Sequence, residues 1–127
     1  MNTNELSRWG KLLDILSEIS DVERQLVLQG ERPGSFVPDE LLERWYHTYR
    51  GGRGLGRAGV SEEIQSILMD FDLTLMDLTD ILPDDAHDKA HYIRHDEIWR
   101  AICELANLTL TRIAMLGMPE DPPFSIN

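Results

Sequence analysis

Apolar residues recurring at intervals of three and four along most of the chain constrain this protein more than any other feature, because that period lets an α-helix bury one face. From Leu6 the positions Trp9, Leu12, Leu13, Leu16, Ile19, Val22 and Leu26 follow it, with Asn2 and Glu5 spaced as a capping box. They predict an amphipathic helix ending near Gly30. Gly30 to Pro38 is rich in turn formers, after which Pro38-Asp39-Glu40 reads as a first helical turn leading into Leu41, Leu42, Trp45, Tyr46 and Tyr49. Ser61 is placed to cap a third helix, with Glu62 and Glu63 in its first turn and a stripe of Ile64, Ile67, Leu68, Phe71, Leu75, Leu78 and Leu82 before Pro83 stops it. A fourth, capped by Asp84 or Asp85, runs through Ile98, Ile102, Leu105, Leu108 or Thr109, and Ile113 until Gly117 and Pro119 end the pattern. No run alternates with the period of a strand.

Four amphipathic segments bury their stripes most simply in an all-α fold, a compact antiparallel bundle of about four helices. The 127 residues fit a single helical domain, with 118–127, rich in proline and acid, as an extended C-terminal tail. Arg50 to Gly59 holds five glycines in ten positions and so forms a Gly/Arg-rich loop between the second and third helices.

Charge narrows the functions. Lys plus Arg number 12 against 23 Asp plus Glu, a formal net charge of -11, which disfavours phosphate backbones and favours solubility or a basic partner. The excess sits mainly beyond residue 60, where fourteen acids face four bases. Acidic ridges at helical spacing, Asp14, Glu18 and Asp21, then Asp70, Asp77 and Asp84, read as solvated faces or as a cover for a basic surface. The one cysteine, Cys103, has no internal partner and sits among apolar residues as a small core side chain in a reducing compartment. With neither a signal-like N-terminus nor an apolar run long enough to span a bilayer, a cytoplasmic protein without membrane contact is expected.

Two constellations carry chemistry. His87, His91 and His95 repeat every fourth residue and continue the inward stripe of the fourth helix; pairing about the Pro83 turn would bring Asp77 and Asp80 level with them. Imidazoles and carboxylates suit zinc, iron, nickel or manganese, so a divalent transition metal is the candidate cofactor and a metal-dependent enzyme the alternative function. The structural reading has His91 bonded to Asp77 or Asp80 and His95 against an aromatic ring. Neither His-Glu-x-x-His nor paired Glu-x-x-His is present.

The second constellation lies around the Gly/Arg loop. Trp45 and Tyr49 share a core-facing side, which leaves Tyr46 and His47, with Arg50, Arg53 and Arg57, as a candidate protein-contact surface. The loop can also be read as a hinge or a phosphate cradle, although no Walker or dinucleotide motif is present. These features favour a non-enzymatic acidic interaction module, an adaptor, regulator or inhibitor of a basic partner. The long stripe of the third helix suggests a homodimer as well.

Overall fold

A computed structural model describes residues 3–83 and 88–117, with side chains from residue 8 to 83 and from 88 to 116. The described residues form six helices: α1 (Thr3–Ser20), α2 (Val22–Glu31), α3 (Val37–Tyr49), α4 (Glu62–Asp80), α5 (Lys89–His95) and α6 (Glu97–Gly117). The fold is all-α, but the expectation of about four helices is overturned, and for one physical reason met twice. Each of the two longest expected helices breaks at an aspartate that starts a new one. The Asp21 carboxylate accepts from the Arg24 amide at 3.0 Å, and that of Asp96 accepts from the Trp99 amide at 2.9 Å. A carboxylate used this way satisfies amide groups that a helix start leaves unpaired, and it requires a non-helical backbone at the capping residue. Asp88 opens α5 likewise, with its carboxylate 3.0 Å from the His91 amide.

The breaks change which faces turn inward. α1 packs along α6 and α3, and α6 also packs on α4, around a core that includes Leu12, Leu16, Trp45, Phe71, Trp99 and Ile102, each essentially sealed from solvent. The short pieces α2 and α5 pack on each other. Two glutamines of α2 turn inward where the apolar stripe would have continued. Gln25 Nε2 donates to the Glu18 and Ile19 carbonyls, both at 2.8 Å, and its Oε1 accepts from Trp99 Nε1 at 3.0 Å. One side chain thus closes the end of α1 and ties it to the start of α6. Gln29 fastens the next turn, donating to the Arg32 and Ser35 carbonyls and accepting from the Val37 amide.

The Gly/Arg loop lies where expected, now between α3 and α4. It begins with a 3₁₀ turn at Arg50–Gly52 and then folds down on the core through buried Leu55, Ala58 and Val60. Arg50, Gly51, Gly52, Gly54 and Gly59 all have positive φ, the backbone state that glycine enters at least cost. The Ser61 hydroxyl accepts from the Ile64 amide at 3.2 Å and starts α4 as the sequence predicts.

The N-caps can be tested singly. Asp96→Ala is expected to cost about 1 kcal/mol of stability, read from the urea midpoint. Asp96→Asn retains an accepting oxygen and should stay near the parent; equal losses in both would place the effect elsewhere than in the cap.

Candidate functional site

The histidine constellation assembles only in part. His91 and His95 are exposed, with ring centroids 4.6 Å apart. The expected continuation of the inward stripe fails here because the break at Asp96 resets the helix, and Tyr92 and Ile93 are the residues of α5 that turn inward. Tyr92 packs edge-on against Phe36 at 4.9 Å and donates to the Pro83 carbonyl at 2.7 Å. Asp77 and Asp80 are exposed on α4, while His87 lies outside the described residues. Among the described residues no three His, Cys, Asp or Glu side chains gather as a group able to hold a metal ion. The two adjacent imidazoles border a cleft of about 470 Å³ with Asp88, Asp96 and Glu97. Two imidazoles are a partial ligand set beside the three or four protein ligands usual for zinc.

The aromatic and arginine constellation divides as its helical spacing requires. Trp45 and Tyr49 are buried, stacked with centroids 4.9 Å apart, and Trp45 Nε1 donates to the Asp72 carboxylate at 2.9 Å. Burial pushes the Tyr49 phenol above its ordinary value, with Asp72 adding to the rise. Tyr46, His47 and Arg50 are exposed at the end of α3, where Arg50 Nε donates to the His47 carbonyl at 2.9 Å. Arg53 and Arg57 are exposed on the loop and make no ion pair among the described residues. Five of the loop's amides, those of Arg53, Leu55, Ala58, Gly59 and Val60, are bonded to its own carbonyls, which leaves fewer of them to cradle a phosphate.

Elsewhere among the described residues four arginines, Arg32, Arg44, Arg94 and Arg112, are paired with carboxylates. Arg44 holds Glu18 with two hydrogen bonds, of 2.9 and 3.1 Å, which raises the arginine's pKa above its ordinary value. Arg112 of α6 sits 3.7 Å from Asp70 of α4. Cys103 is buried, and burial pushes its thiol up to about 12, against a smaller opposing contribution from the nearby Gln25 amide. It is held as a neutral core thiol.

The most unusual surface was not among the sequence candidates. α4 is apolar on two opposite faces. Its inner face buries Ile67, Leu68, Phe71 and Leu75, so the stripe that suggested self-association is occupied inside this fold. Its outer face carries Met69, Leu73 and Met76 at spacings of four and three, exposed by 54, 54 and 50%. α6 adds exposed Leu108, Met115 and Leu116. Of the five methionines, Met1 and Met118 lie outside the described residues, and the other three, Met69 and Met76 on α4 and Met115 on α6, are all at least half exposed. Methionine is ordinarily a core residue. An outward methionine stripe costs solubility unless something covers it. Acid surrounds the stripe: α4 carries Glu62, Glu63, Asp70, Asp72, Asp77 and Asp80 and no Lys, Arg or His. The signal was present in the sequence, in apolar residues at 69, 73 and 76 that are out of phase with the inner stripe.

None of the described helices is long and apolar enough to cross a membrane. Comparison with protein-family models, with curated proteins and with solved structures finds no match, so the surface chemistry carries the functional argument.

Proposed function

We propose that this protein is a non-enzymatic interaction module, an adaptor, regulator or inhibitor that binds a basic protein through the outer face of α4 and the adjoining part of α6. The observation that carries the reading is the exposed stripe of Met69, Leu73 and Met76 on a helix with six acids and no base. Apolar contact supplies affinity once water is excluded, and the surrounding carboxylates select the sign of the partner and speed its approach. The net charge of -11 acts in the same direction at long range. A homodimer through this face would set one acidic helix against its copy, and like charges meeting across an interface oppose association. Charge therefore favours a partner of opposite sign over a second copy. Tyr46, His47, Arg50, Arg53 and Arg57 then serve as a secondary contact or as local relief of the acidic surface.

Photo-crosslinking in cells tests this reading. A photoreactive amino acid replacing Met76 is expected to trap a protein of basic isoelectric point. The same group replacing exposed Lys11 on α1 should not, and Leu73→Asp should cut the adduct at least tenfold. Leu73 is exposed, so that variant should unfold within about 0.5 kcal/mol of the parent. No adduct at position 76, or equal adducts at both positions, would overturn the proposal.

A further inference from the structure

The face on α4 has a shape and a charge pattern specific enough to name the kind of segment that covers it. We infer that its occupant is a cationic amphipathic helix; this rests on the interaction reading and specifies its partner. The first argument is geometric. Met69, Leu73 and Met76 span about 10 Å along the helix axis, two turns of one side. A separate groove of about 550 Å³ between α4 and α6 is bordered by Glu63, Ser66, Ile67, Arg112, Met115 and Leu116. A row of exposed apolar side chains at three- and four-residue spacing accepts a second helix, whose own side chains at that spacing form a ridge of matching pitch. A strand would need an open sheet edge to bond with, and the described residues contain no strand, while the interior peptide groups of α4 are already paired within the helix.

The second argument is electrostatic. The partner's polar flanks meet α4, whose charged side chains are all carboxylates, Asp72 among them already accepting from Trp45, and the nearest base of α6, Arg112, already faces Asp70 at 3.7 Å. Lys or Arg on the partner's flanks would find opposite charge, whereas a neutral or acidic amphipathic helix would bury the same apolar area against repulsion or unpaired carboxylates. The third argument is the residue choice. Methionine is unbranched and adjusts to apolar side chains of varied shape, which suits recognition of a helix by its general pattern.

Three synthetic peptides of about 18 residues, five helical turns, test the inference. One is of Leu and Lys with all Leu on one helical face, one has the same composition scrambled so that no face forms, and one is a Leu and Glu analogue of the first. Fluorescence anisotropy at physiological salt should give a micromolar 1:1 complex with the first, at least tenfold tighter than with either control. Leu73→Asp should weaken it at least tenfold although that substitution adds negative charge, which separates apolar recognition from bulk attraction. Equal binding of the scrambled peptide would show attraction by charge alone and overturn the inference, leaving the interaction reading to the crosslink at position 76. Failure of all three peptides, with light scattering reporting a dimer that Leu73→Asp dissociates, would assign the face to a second copy and overturn it too. Failure of all three with a monomer and no adduct at position 76 would remove both the inference and the interaction reading.

Discussion

Gln25→Leu is expected to lower the unfolding free energy by about 3 kcal/mol, although leucine nearly matches glutamine in volume and is the more apolar. The Gln25 side chain is sealed from solvent at 0% exposure and serves two neighbours. Its amide nitrogen reaches the Glu18 and Ile19 carbonyls, and its oxygen receives the indole N–H of Trp99, itself 0% exposed. Leucine leaves that buried indole donor and the Ile19 carbonyl without their partner, and each orphaned group costs about 1–3 kcal/mol. The Glu18 carbonyl suffers less because it also accepts from the Asp21 amide at 3.2 Å. Some of the loss is offset by the apolar character of leucine. Gln25→Glu should be at least as damaging, since it turns a carboxylate oxygen toward two carbonyl oxygens. Adding Trp99→Phe to Gln25→Leu removes the stranded donor, so the double variant should be more stable than the two single losses sum to, by about 1 kcal/mol. Additive losses in urea denaturation would show that the two side chains do not act as a pair.

That junction also explains how far the sequence could be read. The helical period was legible throughout because it is repeated, and the Ser61 cap and the Gly/Arg loop were legible because hydroxyl capping and positive φ leave local marks. The breaks at Asp21 and Asp96 had marks as well, each an aspartate with a glutamate in the first turn that follows. Those marks were outvoted by apolar stripes that continue in phase across both breaks, from Ile19 to Val22 and from His95 to Ile98. Whether a helix bends at such a point depends on what stabilises the bent form, here Gln25 and the packing of α2 on α5, and partners far apart in the chain are not visible in a local pattern. The same continuity of phase makes His91 and His95 read as inward-facing, although both are exposed. Met69, Leu73 and Met76 are masked in the sequence by the stronger inner stripe of the same helix, since α4 has two.

Raising the pH should destabilise this fold more than it destabilises a Cys103→Ala variant, and the size of the difference follows from the buried thiol. Burial pushes the Cys103 thiol from 9.0 up to about 12, so the folded chain keeps a proton that the unfolded chain releases. The native state therefore binds more protons between those values, and stability falls as pH rises through that window. The contribution is fully present below pH 9, and a rise of that size corresponds to about 4 kcal/mol once the pH passes the folded value. Near pH 11, about 3 kcal/mol of it should be gone. Tyr49, also raised by burial, adds a loss of the same sign, but it is common to parent and variant. Urea denaturation of both at pH 8 and pH 11 isolates the thiol; equal losses would mean that the thiol is already hydrated in the folded state. The same side chain reports on the junction beside it, because Cys103 Sγ lies 3.9 Å from Gln25 Nε2. At pH 8 a thiol reagent should label the folded chain at least a thousandfold more slowly than the urea-unfolded chain. When labelling waits on unfolding, a loss of about 3 kcal/mol in Gln25→Leu should speed it by about 100-fold. Labelling left unchanged in that variant, with stability reduced, would show that a smaller local motion admits the reagent and that the junction opens independently of it.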